Sequence, residues 1–206
     1  MSVIEALSTS LKLKIQDPNI ALAKEIVNSS NESGILELIN ELGNKKLASD
    51  CIKVLYEIGY LQPKLIEKYA TVFLDLLAHK DNRMQWGAMT ALAEIAKVNP
   101  EFAFENLSKI LQASDEGSVI TKDQAFNILI ELAKINSYYH KAFSLLNEQL
   151  LKAPNNQFPK YVEQTFTIYK PEDKEVLIKT IELKIVEIDV ESKRKRADKI
   201  LQKLKK

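Results

Sequence analysis

Apolar positions recur along this chain as short stripes that themselves repeat. Cys51, Ile52, Val54, Leu55, Ile58 and Gly59 stand at i, i+1, i+3, i+4, i+7 and i+8. Thirty-seven residues on, Ala88, Met89, Ala91, Leu92, Ile95 and Ala96 take the same places, and 37 further on Ala125, Phe126, Ile128, Leu129, Leu132 and Ala133 take them again. That spacing lays one buried face along an α-helix. Two columns, Cys51/Ala88/Ala125 and Gly59/Ala96/Ala133, hold only small residues, so neighbouring helices can approach closely. Glu57, Glu94 and Glu131 fall between the apolar columns and are expected to face solvent.

Each stripe ends on a related octet, YEIGYLQP at Tyr56, AEIAKVNP at Ala93 and IELAKINS at Ile130, and each octet is followed by a second apolar segment. The segments are PKLIEKYATVFLDLLAH from Pro63, PEFAFENLSKILQA from Pro100 and SYYHKAFSLLNEQLLKA from Ser137. Proline suits the first turn of a helix, where its missing N–H costs nothing, so the octet reads as helix end, corner and helix start. A degraded copy runs VEQTFTIYKPEDKEVLIKTIELKIVEI, with Pro171 at the corner. A shorter pair lies upstream, where Asp17 reads as an N-cap and Pro18 as the first helical residue, followed by GILELINEL. The pattern predicts about five helix pairs, a leading helix near residues 2–15 and a terminal helix near 192–205. A fixed period of this length marks a solenoid, whose units bury their apolar faces against one another.

Helix pairs of this length resemble HEAT repeats of the armadillo-like family, with Asp81, Asn82 and Arg83 opening a helix that runs into AMTALAEIA and a proline at the corner. The resemblance covers roughly residues 17–190 and is best over 46–152. It implies an all-α fold, a right-handed α-α superhelix of about five HEAT-like hairpins forming a single domain over 1–206. Residues 1–16 would be an N-terminal capping helix, 17–190 the hairpins, and 191–206 a basic C-terminal capping helix. In that family a basic residue near the start of the first helix often accompanies an Asp in the neighbouring repeat. Here Lys46, Arg83 and Lys122 vary in type, and Asp50 has no counterpart at 87 or 124.

Composition agrees with helices throughout. Hydrophobic residues are 46% and charged residues 28%, with only 5 Gly and 6 Pro. No run of 18 apolar residues occurs, so no transmembrane helix is expected, and MSVIEALSTSLKLKI lacks the apolar core of a signal peptide. The single cysteine, Cys51, sits in a small apolar column and reads as a packed thiol in a reducing, cytoplasmic compartment. Net charge is +1, but residues 191–206 carry +6 and residues 1–190 carry −5.

Catalytic chemistry finds little purchase. His79 and His140 are 61 residues apart, and neither has a second ligand at i+3 or i+4; no phosphate loop, nucleophile elbow or metal motif appears. The acid pairs Asp115–Glu116 and Glu172–Asp173 read as helix starts, where carboxylates meet free N–H groups. No cofactor, metal or catalytic residue is assigned. Trp86 is a candidate binding anchor, with partial burial against the preceding repeat as the plainer reading. Tyr138, Tyr161 and Tyr169 are the aromatics placed to reach an open surface, and Lys193, Arg194, Lys195 and Arg196 form a basic cluster. That terminal helix, SKRKRADKILQKLKK, can close the stack through Ala197, Ile200, Leu201 and Leu204, or present charge to nucleic acid, an anionic surface or an acidic partner.

The resulting expectation is a non-enzymatic protein-binding or scaffolding module. The alternative is a nucleic-acid-binding protein. Some HEAT-like solenoids of similar size are DNA glycosylases for alkylated bases, which implies a basic concave face. Exposed positions of the second helices, such as Lys64, Glu67, Lys68, Glu101, Glu105 and Lys109, are mixed in sign.

Overall fold

The computed structural model describes residues 2–206, and among them every regular element is helical. The α-helices are α1 (Asp17–Ser29), α2 (Glu32–Asn40), α3 (Ala48–Leu61), α4 (Ala70–Leu76), α5 (Asn82–Ile95), α6 (Pro100–Glu105), α7 (Leu107–Glu116), α8 (Val119–Ala133), α9 (Asn136–Lys152), α10 (Phe158–Phe166), α11 (Lys174–Ile185) and α12 (Glu191–Lys205). The fold divides into two compact units, one ending at Ala125 and the other Phe126–Lys206, with the division inside α8.

In the first unit α3 lies between α1 and α5, α2 packs on α3, and α4 packs on α5. The small columns make that row of helices possible. Cys51 and Ala88 are fully buried, and Gly87 brings α5 so close to α3 that a Cβ there would stand 2.7 Å from Cγ1 of Ile52. Ile52, Leu55 and Ile58 fill the seam without exposure, each worth about 1.5–3 kcal/mol of burial. Side-chain caps fix the corners. Asp81 Oδ1 accepts from the Arg83 N–H at 2.7 Å, Asn99 Oδ1 from Phe102 at 3.1 Å and Asn31 Oδ1 from Gly34 at 2.8 Å, at about 1 kcal/mol each. Lys122 works at the opposite pole: its ammonium donates to the carbonyls of Ser114, Asp115 and Gly117 at 2.8–3.1 Å, satisfying the open C-terminal end of α7.

The second unit repeats the logic with larger residues. α9 packs on α11 and α10 on α12, while Phe126 of α8 stacks on Tyr161 of α10 with centroids 4.0 Å apart. α12 inserts Ala197, Ile200, Leu201 and Leu204, the stripe its spacing predicts. Tyr139 bridges α9 to the start of α11: its hydroxyl donates to Asp173 Oδ2 at 2.7 Å and accepts from the Lys170 N–H at 2.8 Å.

Several expectations are corrected. The leading helix over 2–15 is absent; Val3–Ala6 is a single 3-10 turn, followed by turns as far as α1. Its backbone is drawn elsewhere, because the N–H of Val3 goes to Glu37 at 3.0 Å, that of Ser8 to Asn19 at 3.0 Å and that of Thr9 to buried Asp50 at 2.7 Å. Asp17 is the first residue of α1 and makes no side-chain cap, although Pro18 does lie in the first turn. The helix expected from Pro63 begins as two 3-10 turns and becomes α-helical only at Ala70, and the one from Pro100 breaks at Asn106. Asp115 and Glu116 end α7 rather than opening a helix, whereas Glu172 and Asp173 do stand at a helix start, in the 3-10 turn that leads into α11. Glu94 is only 7% exposed, because α5 has α3 on one side and α4 on another; its carboxylate escapes to Lys97 at 2.5 Å.

Candidate partner-binding surface

The residues singled out by sequence are not gathered into one place. Trp86 is half-buried and packs on Tyr56, centroids 5.6 Å apart, so it belongs to the packing between α3 and α5. Tyr161 contradicts its expected exposure: it is 2% exposed and stacked on Phe126. The cause is register, since Phe158, Tyr161, Val162 and Thr165 form the buried i, i+3, i+4, i+7 face of α10. Tyr138 and Tyr169 are half-buried, the latter stacked on Phe166 at 5.5 Å.

The basic cluster does reach the surface, but much of its charge is paired. Arg196 makes a two-pronged ion pair with Glu163, Lys195 meets Glu191 at 2.6 Å and Lys205 meets Glu182 at 2.6 Å. Hydrogen bonding to Arg196 holds the Glu163 carboxyl below its ordinary value, against a smaller opposing effect of burial. Such exposed pairs contribute about 0–1 kcal/mol each. Lys193 is half-buried and Arg194 is exposed.

The surface that sequence reasoning overlooked is the outer face of α11 and the turn after it. Val176, Leu183, Val186 and Val190 are all solvent-facing, Leu183 at 56% and Val186 at 77%. Val176, Lys179, Leu183 and Val186 fall at i, i+3, i+7 and i+10, one face of the helix. The opposite face, with Leu177, Ile178 and Ile181, fills the core. The signal was present in the sequence: IELKIVEIDV carries apolar residues around more of the helix than one buried stripe can use. Beside Val186 opens a cleft of about 420 Å³ lined by Ile185, Val186, Arg194, Lys195 and Asp198. Ile185 and Val186 supply its apolar lining, and Arg194, Lys195 and Asp198 a charged lining of mixed sign.

A larger cleft, about 600 Å³, lies in the first unit between the end of α4, the start of α5 and α7. Leu74, Leu77 and Ala113 line its base, and Asp75, Lys109 and Glu116 its rim. Two of its polar side chains, His79 and Gln85, are already engaged. His79 Nδ1 accepts from the Asp81 N–H at 3.0 Å, and Gln85 Nε2 donates to the Leu77 carbonyl at 2.9 Å. His140 is exposed with its ring edge against Tyr139. Cys51 is buried, and burial, followed by the nearby Glu41 and Asp50, pushes its thiol up to about 12. Among the described residues no group of three or more His, Cys, Asp or Glu is placed to hold a metal ion, and no helix is long and apolar enough to cross a membrane.

No family model matches this chain, and no curated protein does. Among solved structures it is similar to the crystal structure of an engineered protein, a target of the Northeast Structural Genomics Consortium. The TM-score is 0.59 and the identity 16%, over 100% of this chain and 97% of that one. That likeness concerns the fold.

Proposed function

We propose that this chain is a non-enzymatic protein-binding module, built as a HEAT-like solenoid and working in a reducing, cytoplasmic compartment. The observation that carries the reading is the apolar strip Val176, Leu183, Val186 and Val190, which faces solvent although the same helix has a complete buried face. Several large aliphatic side chains in one row are costly to hydrate and are the usual mark of a surface that meets a protein. The side-by-side packing of α1, α3 and α5 in one unit, and of α10 with α12 in the other, supports the solenoid reading. DNA binding through α12 is served less well, because Lys195, Arg196 and Lys205 already have carboxylate partners.

The test is affinity capture from native extract with the wild-type chain and with Leu183→Asp. Defined protein partners that are lost with the variant are expected. Capture of nucleic acid in their place, or a partner set indifferent to the substitution, would remove this reading.

A further inference from the structure

The flank of α12 that faces α10 segregates charge. At 3.6 residues per turn, Lys195, Arg196, Lys199 and Lys203 share a sector of about 100° around the helix, and no acid of α12 falls inside it. Glu191 and Asp198 stand outside that sector, Asp198 toward α11, where it lines the cleft beside Val186. The carboxylates of α11 are engaged on that other side too, Glu182 with Lys205 and Glu187 with Lys184. From α10 the row meets one acid, Glu163, gripped by Arg196 in the two-pronged pair. The hydrogen bond from Arg196 keeps that carboxyl ionised, and Lys199 adds its charge. Beyond it the Lys203 ammonium stands 5.9 Å from the centroid of Phe166, whose ring is stacked on Tyr169. Lys199 and Lys203 are exposed, and among the described residues neither has an ion-pair partner. The row therefore seats one carboxylate of its own chain and leaves two cations open beside it.

We propose that Arg196, Lys199 and Lys203 receive an extended acidic segment of a protein partner, with Asp or Glu carboxylates on Lys199 and Lys203. Those two lysines lie about 6 Å apart along the helix axis, close to the roughly 7 Å between alternate side chains of an extended chain. Charge complementarity selects the segment, since the row has three cations to one acid and that acid is already held. A partner helix would need an apolar seam, and a bilayer would need aliphatic side chains to take up; among the described residues no large aliphatic side chain within α10 or α12 is exposed. A nucleic acid would find no free ring to stack on, because Phe166 lies between Tyr169 and Lys203. The inference rests on the protein-binding reading above and adds a second contact, with its chemistry, to the α11 strip.

Two fluorescein-labelled peptides of about ten residues, one alternating Glu with Ser and the other Gln with Ser, are titrated against the full chain by anisotropy, at low salt and at about 150 mM. The Glu peptide is expected to bind at least about tenfold more tightly than the Gln peptide at low salt, with the gap narrowing as salt rises. Lys199→Glu with Lys203→Glu is expected to weaken it about tenfold or more. Lys141→Glu with Lys179→Glu makes the same change of charge at exposed positions of α9 and α11, and should alter binding less than about threefold. Glu163→Gln releases Arg196 and should tighten binding about threefold, whereas Glu182→Gln, which releases Lys205 on the other flank, should not. None of the substituted side chains is buried, so circular dichroism of every variant should match wild type, which separates lost binding from lost fold.

Equal binding of the Glu and Gln peptides, or equal losses from the two lysine pairs, overturns the proposal. So does tighter binding of a single-stranded oligonucleotide or of phosphatidylserine vesicles through Lys199 and Lys203. Failure of the peptides while capture from extract still depends on Leu183 refutes this inference alone. Discrimination between the peptides while capture is indifferent to Leu183 keeps the acidic-segment site and removes the α11 strip as the anchor.

Discussion

The Tyr139 hydroxyl sits between a carboxylate that accepts its proton and a backbone N–H that donates to it, with the Lys170 ammonium 4.1 Å above the ring. Burial, reinforced by the bond to Asp173, raises the phenol above the ordinary tyrosine value. Ionisation is therefore opposed in the folded state. The stabilisation is complete below the unfolded value, about pH 10, and is lost as pH climbs through the folded one. Tyr139→Phe is expected to lower stability at pH 7 by about 1–2 kcal/mol in urea unfolding, and the gap to wild type should narrow above about pH 10. Cys51 behaves alike in sign: its thiol, pushed up to about 12, stays protonated and enclosed at neutral pH. Labelling by a thiol-specific disulfide reagent at pH 8 should be at least about 100-fold slower in the native chain than in denaturant. The packed character of Cys51 was legible from its column of alanines. Tyr161 departs from its expected exposure because its spacing to Phe158, Val162 and Thr165 sets it on the buried face of α10.

Among the elements, the contact of α3 with α5 depends on what Gly87 lacks. Alanine there would gain about 1 kcal/mol of helix propensity, but its Cβ would fall 2.7 Å from the fully buried Ile52. Gly87→Ala should therefore lower stability by about 1–3 kcal/mol, a loss that thermal unfolding would register. Lys122→Met should cost about 1–2 kcal/mol by stripping three carbonyls at the end of α7 of their shared donor. Helical periodicity revealed α3, α5 and α8 because their stripes are set by local spacing. It failed over 2–15 because what holds that segment is distant in sequence: Glu37, Asn19 and Asp50 take its backbone N–H groups, and no pattern inside the segment announces them. The expectation that Glu94 faces water failed for a related reason, since one helix read alone does not show that a second neighbour covers its outer side.

At the scale of the molecule, charge is unevenly shared: the second unit is net +5, and the residues up to Ala125 net −4. With Lys195, Arg196 and Lys205 paired to acids, five of the eight cations in residues 191–206 remain outside ion pairs. DNA binding measured by anisotropy should be weak and should vanish near 150 mM salt, with a shallow dependence of affinity on salt. Tight binding that persists at that salt would reinstate the nucleic-acid reading. The concentration of basic residues was evident in the sequence; its partial neutralisation was not, because Glu163 and Glu182 lie 33 and 23 residues away from the cations they meet.

Val3, Ser8 and Thr9 are each gripped through the main chain, by Glu37, Asn19 and Asp50. Nearly any amino acid can supply the gripped amide, so the identity of exposed Thr9 can drift while Asn19 and Asp50 cannot, and buried Ser8 is held to a small side chain as well. Proline alone has no hydrogen to offer. Related chains should therefore vary widely at 9, keep a small residue at 8, and exclude proline at both.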